Sequence, residues 1–100
     1  MFGTKMTGQQ WLSIPLEYMP TEKTTFPIRL KNCLLNFFSN ECRKEGRLVQ
    51  VGDVLLVDPD NIRIPNFGKV SAAQLRLWQA KWREEFGDDF EKELKIWSAS

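Results

Sequence analysis

The spacing of apolar and polar positions changes twice along this chain. From Ile28 to Glu45 the apolar residues Leu30, Leu34, Phe37, Phe38 and Cys42 recur at helical intervals, which predicts a central helix with one broad buried face. Thr25 is placed to cap that helix, Pro27 suits its first turn, and Gly46 is a natural stop. Ahead of it, Trp11 and Leu12 are apolar anchors, Ser13 is a candidate N-cap with Pro15 in a first turn, and Pro20 ends whatever begins there. After Gly46 the period shortens. Residues 47–51 and 54–57 are runs rich in β-branched side chains, joined by Gly52-Asp53, and together they predict a β-hairpin with a II′ turn. Asp58-Pro59-Asp60-Asn61 is a turn cluster, and Ile62-Arg63-Ile64 alternates as a short third strand.

Helical spacing then returns. Ser71 with Gln74 three residues on has the form of a capping box, and Leu75, Trp78, Trp82 and Phe86 follow at i, i+3, i+7 and i+11 before Gly87. Asp88 can cap a last short helix that places Phe90, Leu94 and Trp97 on one side. The order helix, hairpin, helix, short helix predicts an α+β fold, as a single domain over residues 11–100 behind a flexible tail at 1–10.

Composition agrees with one folded domain and narrows the chemistry. The chain has 100 residues, 42% hydrophobic and 12% aromatic, too rich in rings to stay unfolded for want of a core. Its longest apolar runs fall far short of the roughly 20 residues of a membrane span, and the first ten residues do not resemble a signal peptide. A soluble, cytoplasmic protein is expected. There is no His, which removes the commonest general base and the neutral metal ligand together. Cys33 and Cys42, nine apart in one helix, would sit about 13 Å apart along its axis, out of disulfide reach, and two thiols alone make a poor zinc site. Asp58 and Asp60 open like a calcium loop, but its sixth and twelfth positions would be Arg63 and Lys69. With no Gly-rich phosphate loop either, neither a cofactor, a metal, a small-molecule substrate nor enzyme activity is expected.

Net charge is only +1, yet the segment from Arg29 to Arg47 holds five basic residues against two acidic ones. On a helical wheel Arg29, Asn32, Asn36, Asn40 and Arg43 share one narrow stripe opposite the apolar face. Arg and Asn are the side chains that pair bidentately with guanine and adenine edges in the major groove, so the stripe is a candidate surface for double-stranded DNA. Lys31, Lys44 and Arg47 would then hold phosphates. An amphipathic helix must also turn some polar face to solvent, and the same residues serve that purpose.

A helix followed at once by a hairpin is the layout of a winged helix. The opening Trp11-Leu12-Ser13-Ile14, the stretch Arg43-Lys44-Glu45-Gly46-Arg47-Leu48, the Val49-Gln50-Val51-Gly52 strand and turn, and the apolar strand into Asp58-Pro59-Asp60 resemble the small excisionase and MerR-like winged-helix family. The resemblance covers about residues 11–60. It implies a small winged-helix-like core, to which this chain adds the two C-terminal helices read above, and a role in DNA bending, phage or mobile-element recombination, or transcription control.

The C-terminal half suggests a different partner. Trp78, Trp82 and Trp97 with Phe90 could form an exposed aromatic ridge, as expected of an accessory or inhibitor protein that docks on a host protein, or of a homodimer. The same rings also extend the stripe that a small core needs.

Overall fold

The computed structural model describes residues 7–62, 64 and 67–99. Five α-helices follow one another: α1 (Gly8–Leu12), α2 (Ile28–Lys44), α3 (Val51–Leu55), α4 (Lys69–Phe86) and α5 (Phe90–Ala99). Single 3-10 turns lie at Leu16–Tyr18 and Gly87–Asp89. No strand occurs among the described residues, so the fold is helical and the α+β expectation is corrected. Gly8, Gln9 and Gln10 belong to α1, which Thr7 and Gln10 open with a reciprocal capping box. The first six residues lie outside the described ones.

The expected hairpin is replaced by α3, and the physical reason lies in three residues. Asp53, expected at the hairpin turn, instead accepts a hydrogen bond from the Gln50 backbone N–H at 2.9 Å and so starts a helix. Val51, Val54 and Leu55 are buried, a helical i, i+3, i+4 set inside a run too uniformly apolar to show its period. Gly52 is the third cause. A Cβ on it would come within 2.6–2.7 Å of three Trp97 ring atoms, so its bareness lets α5 lie directly on α3. The extended character of the preceding residues survives in one place. Leu16 N–H donates to Val49 O at 2.8 Å and Val51 N–H to Ile14 O at 3.0 Å, an isolated bridge of Pro15 with Gln50. Of the expected third strand, Arg63 lies outside the described residues, and Ile64 is a buried core residue without strand pairing.

The long helices stand close to their expected positions. Helix α2 ends where Gly46 adopts a left-handed φ of 70°, and α4 ends at Gly87 with φ 65°. Its start differs from the Ser71 expectation: Gly68 is the N-cap and Ser71 lies in the first turn. Thr25 does not cap α2, which Pro27 precedes; its hydroxyl donates to Glu22 instead. Ser13 closes α1 rather than opening a helix.

The core is built along α4. Phe26, just before α2, stacks on Trp78 with ring centroids 4.5 Å apart, and Trp82 meets both Trp78 and Trp11 edge-on at 5.7 and 5.9 Å. Phe86 and Phe90 continue the line into α5. Leu30, Leu34 and Cys42 turn the apolar face of α2 into this cluster. Gln79 is buried among these groups, and its amide donates to Val54 O at 3.0 Å and Val57 O at 2.9 Å. That satisfies Val57 O just past α3 and adds a second donor to Val54 O, which also accepts from the Val57 N–H at 3.2 Å.

Candidate nucleic-acid interface

Helix α2 buries one side and presents the other. At about 100° per residue, the exposed side carries Asn32, Arg43, Asn36, Arg29, Asn40 and Lys44 in angular order. All six are exposed. None forms an ion pair or a side-chain hydrogen bond with another described residue. No acidic residue falls within this arc, because Glu41 lies beyond Lys44 and Glu45 follows the last helical residue. Arg29 and Lys44, its first and last residues along the helix, are separated by about 22 Å of helix axis.

Helix stability accounts for Arg43 and Lys44, which stand in the last turn where the dipole favours cations, but not for the other four. Asn is a weaker helix former than Ala, Glu, Lys or Gln, and Arg29 stands in the first turn, where the helix dipole disfavours cations.

Two of the expected phosphate contacts are engaged elsewhere. Lys31 turns toward the protein, and its ammonium donates to Glu17 O and Met19 O, both at 2.7 Å, tying α2 to the preceding 3-10 turn. Arg47 is held by acids. Its Nη1 and Nη2 donate to the two oxygens of Asp53 at 2.7 and 2.8 Å, and its Nε donates to Glu45 at 2.7 Å. The Asp53 bonds, largest of these effects, push the guanidinium's pKa above its ordinary value. One face of the same side chain approaches the Trp97 ring of α5, 6.0 Å from its centroid. The sequence reading missed both arrangements. Lys31 carried no signal, since its acceptors are backbone carbonyls; the Gln50-x-x-Asp53 spacing was a readable one.

Beside the exposed stripe runs a groove of about 570 Å³. Leu35, Leu48 and Val49 supply apolar lining, and Asn36, Ser39 and Arg43 line it from α2. Arg47 borders it too, and Glu17 is the single acid among its lining residues. Asn36 and Arg43 therefore belong to both stripe and groove. Cys42 also borders it, its thiol pushed up in pKa by burial and then by the nearby Asp53 carboxylate.

The aromatic set of the C-terminal half is placed differently. Trp78, Trp82 and Phe90 are core residues and form no exposed ridge; Trp97 is half-buried between α3 and α5. Among the described residues no group of three metal-ligating side chains comes together, and no helix is long and apolar enough to cross a membrane. Neither a protein-family model, a curated protein nor a solved structure matches this chain. The wing that the excisionase and MerR-like resemblance implies has no counterpart among the described residues, where α3 stands in its place.

Proposed function

We propose that this protein binds double-stranded DNA through the exposed side of α2, as a small non-enzymatic architectural or transcription-regulating factor. One observation carries the reading: an arc of three cations and three amides, about 22 Å long, with no acid on it and no intramolecular partner among the described residues. An α-helix of this kind fits the major groove, where Arg and Asn side chains meet base edges and cations at either end meet phosphates. The reading involves no wing. Arg29, Asn32, Asn36, Asn40, Arg43 and Lys44 form the contact surface, while Lys31 and Arg47 hold the fold behind it.

The test is fluorescence anisotropy of a labelled random-sequence duplex across a salt series. Binding that weakens steeply with salt is expected, and Arg29→Ala or Arg43→Ala should each lower the slope of log K against log salt by about one. Lys31→Ala would change stability more than that slope. Absence of binding at low salt, or slopes indifferent to Arg29 and Arg43, would sink the proposal.

A further inference from the structure

The groove beside α2 offers something a fully paired duplex does not use. Its volume of about 570 Å³ falls within the roughly 300–1,000 Å³ of ligand clefts. Its lining combines apolar walls with groups suited to a nucleotide. Leu48 is 59% exposed, an apolar side chain at the rim. Asn36 and Ser39 can hydrogen-bond a base edge, and Arg43 has no ion-pair partner among the described residues. Arg47 adds a constraint of its own. Asp53, Glu45 and the Leu48 carbonyl occupy its N–H edge, so it cannot fork onto a phosphate without breaking those bonds. With Trp97 against one face of its plane, what it can still offer a ligand is the opposite face, and guanidinium planes stack unpaired bases.

We propose that this groove binds one unpaired nucleobase of a nucleic-acid strand, with Leu48 and Arg47 packing on the base, Asn36 reading its edge and Arg43 taking its phosphate. Glu17 repels phosphate from its own neighbourhood and leaves Arg43 as the cation that selects it. The inference rests on the reading of α2 as a nucleic-acid surface, because Asn36 and Arg43 continue that surface into the groove. A protein following the duplex with α2 would then favour sites where a base is bulged or flipped out.

Backbone amide chemical shifts of the isotope-labelled full chain, titrated separately with AMP, with inorganic phosphate and with a blunt duplex, test it. AMP should shift the resonances of Asn36, Ser39, Leu48 and Val49, and phosphate should leave those of Leu48 and Val49 in place. Leu48→Ser changes an exposed position without adding charge and should raise the AMP dissociation constant roughly fivefold, as for one lost apolar contact with the base. Asn36→Ala is the second variant and should weaken AMP without altering the spectrum of the core. Unmoved groove resonances with AMP would overturn the proposal, and so would identical shifts with phosphate alone, which would make the groove an anion site. The blunt duplex reports separately on Arg29 and Asn32, so groove binding without duplex binding rejects only the major-groove function.

Discussion

Asp53 grips Arg47 with two parallel hydrogen bonds, Nη1 to Oδ2 at 2.7 Å and Nη2 to Oδ1 at 2.8 Å, while also accepting from the backbone that starts α3. The carboxylate is 10% exposed and the guanidinium side chain 34%, a pair between surface and interior. One carboxylate thus fixes the exit of α2, the start of α3 and, through Arg47 against Trp97, the seat of α5.

Asp53→Ala should accordingly lower stability by about 1–3 kcal/mol, above an exposed ion pair and below a fully buried one. Arg47→Lys should recover little, because an ammonium cannot reproduce the bidentate fork. Urea unfolding of the three proteins checks this, and a loss below about 0.5 kcal/mol for Asp53→Ala would show that the pair is a surface ornament.

Gly52→Ala should displace α5. The added carbon meets the Trp97 ring at 2.6–2.7 Å, closer than real contacts allow, so the ring or the helix must shift. A cost of about 1–3 kcal/mol, typical of overpacking, is expected, with a changed near-ultraviolet circular dichroism spectrum. An unchanged spectrum and stability would mean that Trp97 swings aside freely.

Gln79→Leu keeps the side chain's bulk and removes the donor to Val54 O and Val57 O. Val54 O keeps the Val57 N–H at 3.2 Å, so Val57 O is the carbonyl that loses its donor, at a cost of about 1–3 kcal/mol. Hydrogen exchange should then quicken first in α3. Uniform quickening across α2 and α4 instead would place the loss in the core at large.

These three residues show what the sequence could and could not disclose. Helices α2, α4 and α5 were legible because Leu30, Leu34, Leu75, Trp78, Trp82 and Leu94 repeat at one helical face, and Gly46 and Gly87 mark where the first two stop. Residues 51–55 were not, since a short run buried on nearly every side has no readable period, and β-branched Val51 and Val54 favour strands when considered alone. Tertiary packing decided the matter: Trp97, 45 residues further on, needs the bare Gly52. On the candidate site, exposure of Arg29, Asn32, Asn36, Asn40 and Arg43 followed from the helical wheel. The diversion of Lys31 and Arg47 depended on partners that only the folded chain brings within reach.

Acid should weaken one link of the fold selectively. The hydrogen bond from Lys81, and next that from Thr25, hold the Glu22 carboxyl below its ordinary value of 4.5. A carboxyl depressed in the fold stabilises it above that ordinary value, and the contribution disappears as pH falls through the lower folded one. Both side chains are more than a third exposed, so the contribution stays below about 1 kcal/mol. Thermal melts between pH 6 and about 3 should fall less steeply for Lys81→Met than for the unmodified chain; parallel curves would remove Glu22 from the acid response.

Cys42 is buried and its thiol is shifted upward, whereas Cys33 is partly exposed. Native protein treated with iodoacetamide at mild alkaline pH should gain one adduct quickly and the second only in urea. Rapid double labelling without denaturant would indicate that the end of α2 opens readily.

The line of rings along α4 has a spectroscopic consequence. Trp11 and Trp78 each lie within 6 Å of Trp82, with Phe26 stacked on one end and Phe86 near the other. At such separations the indoles share excitation, so absorbed light migrates among them before it is emitted. Their fluorescence is a collective property of the core, and exchanging any one of them for Phe would alter the emission of the other two, not simply subtract its own share of the signal.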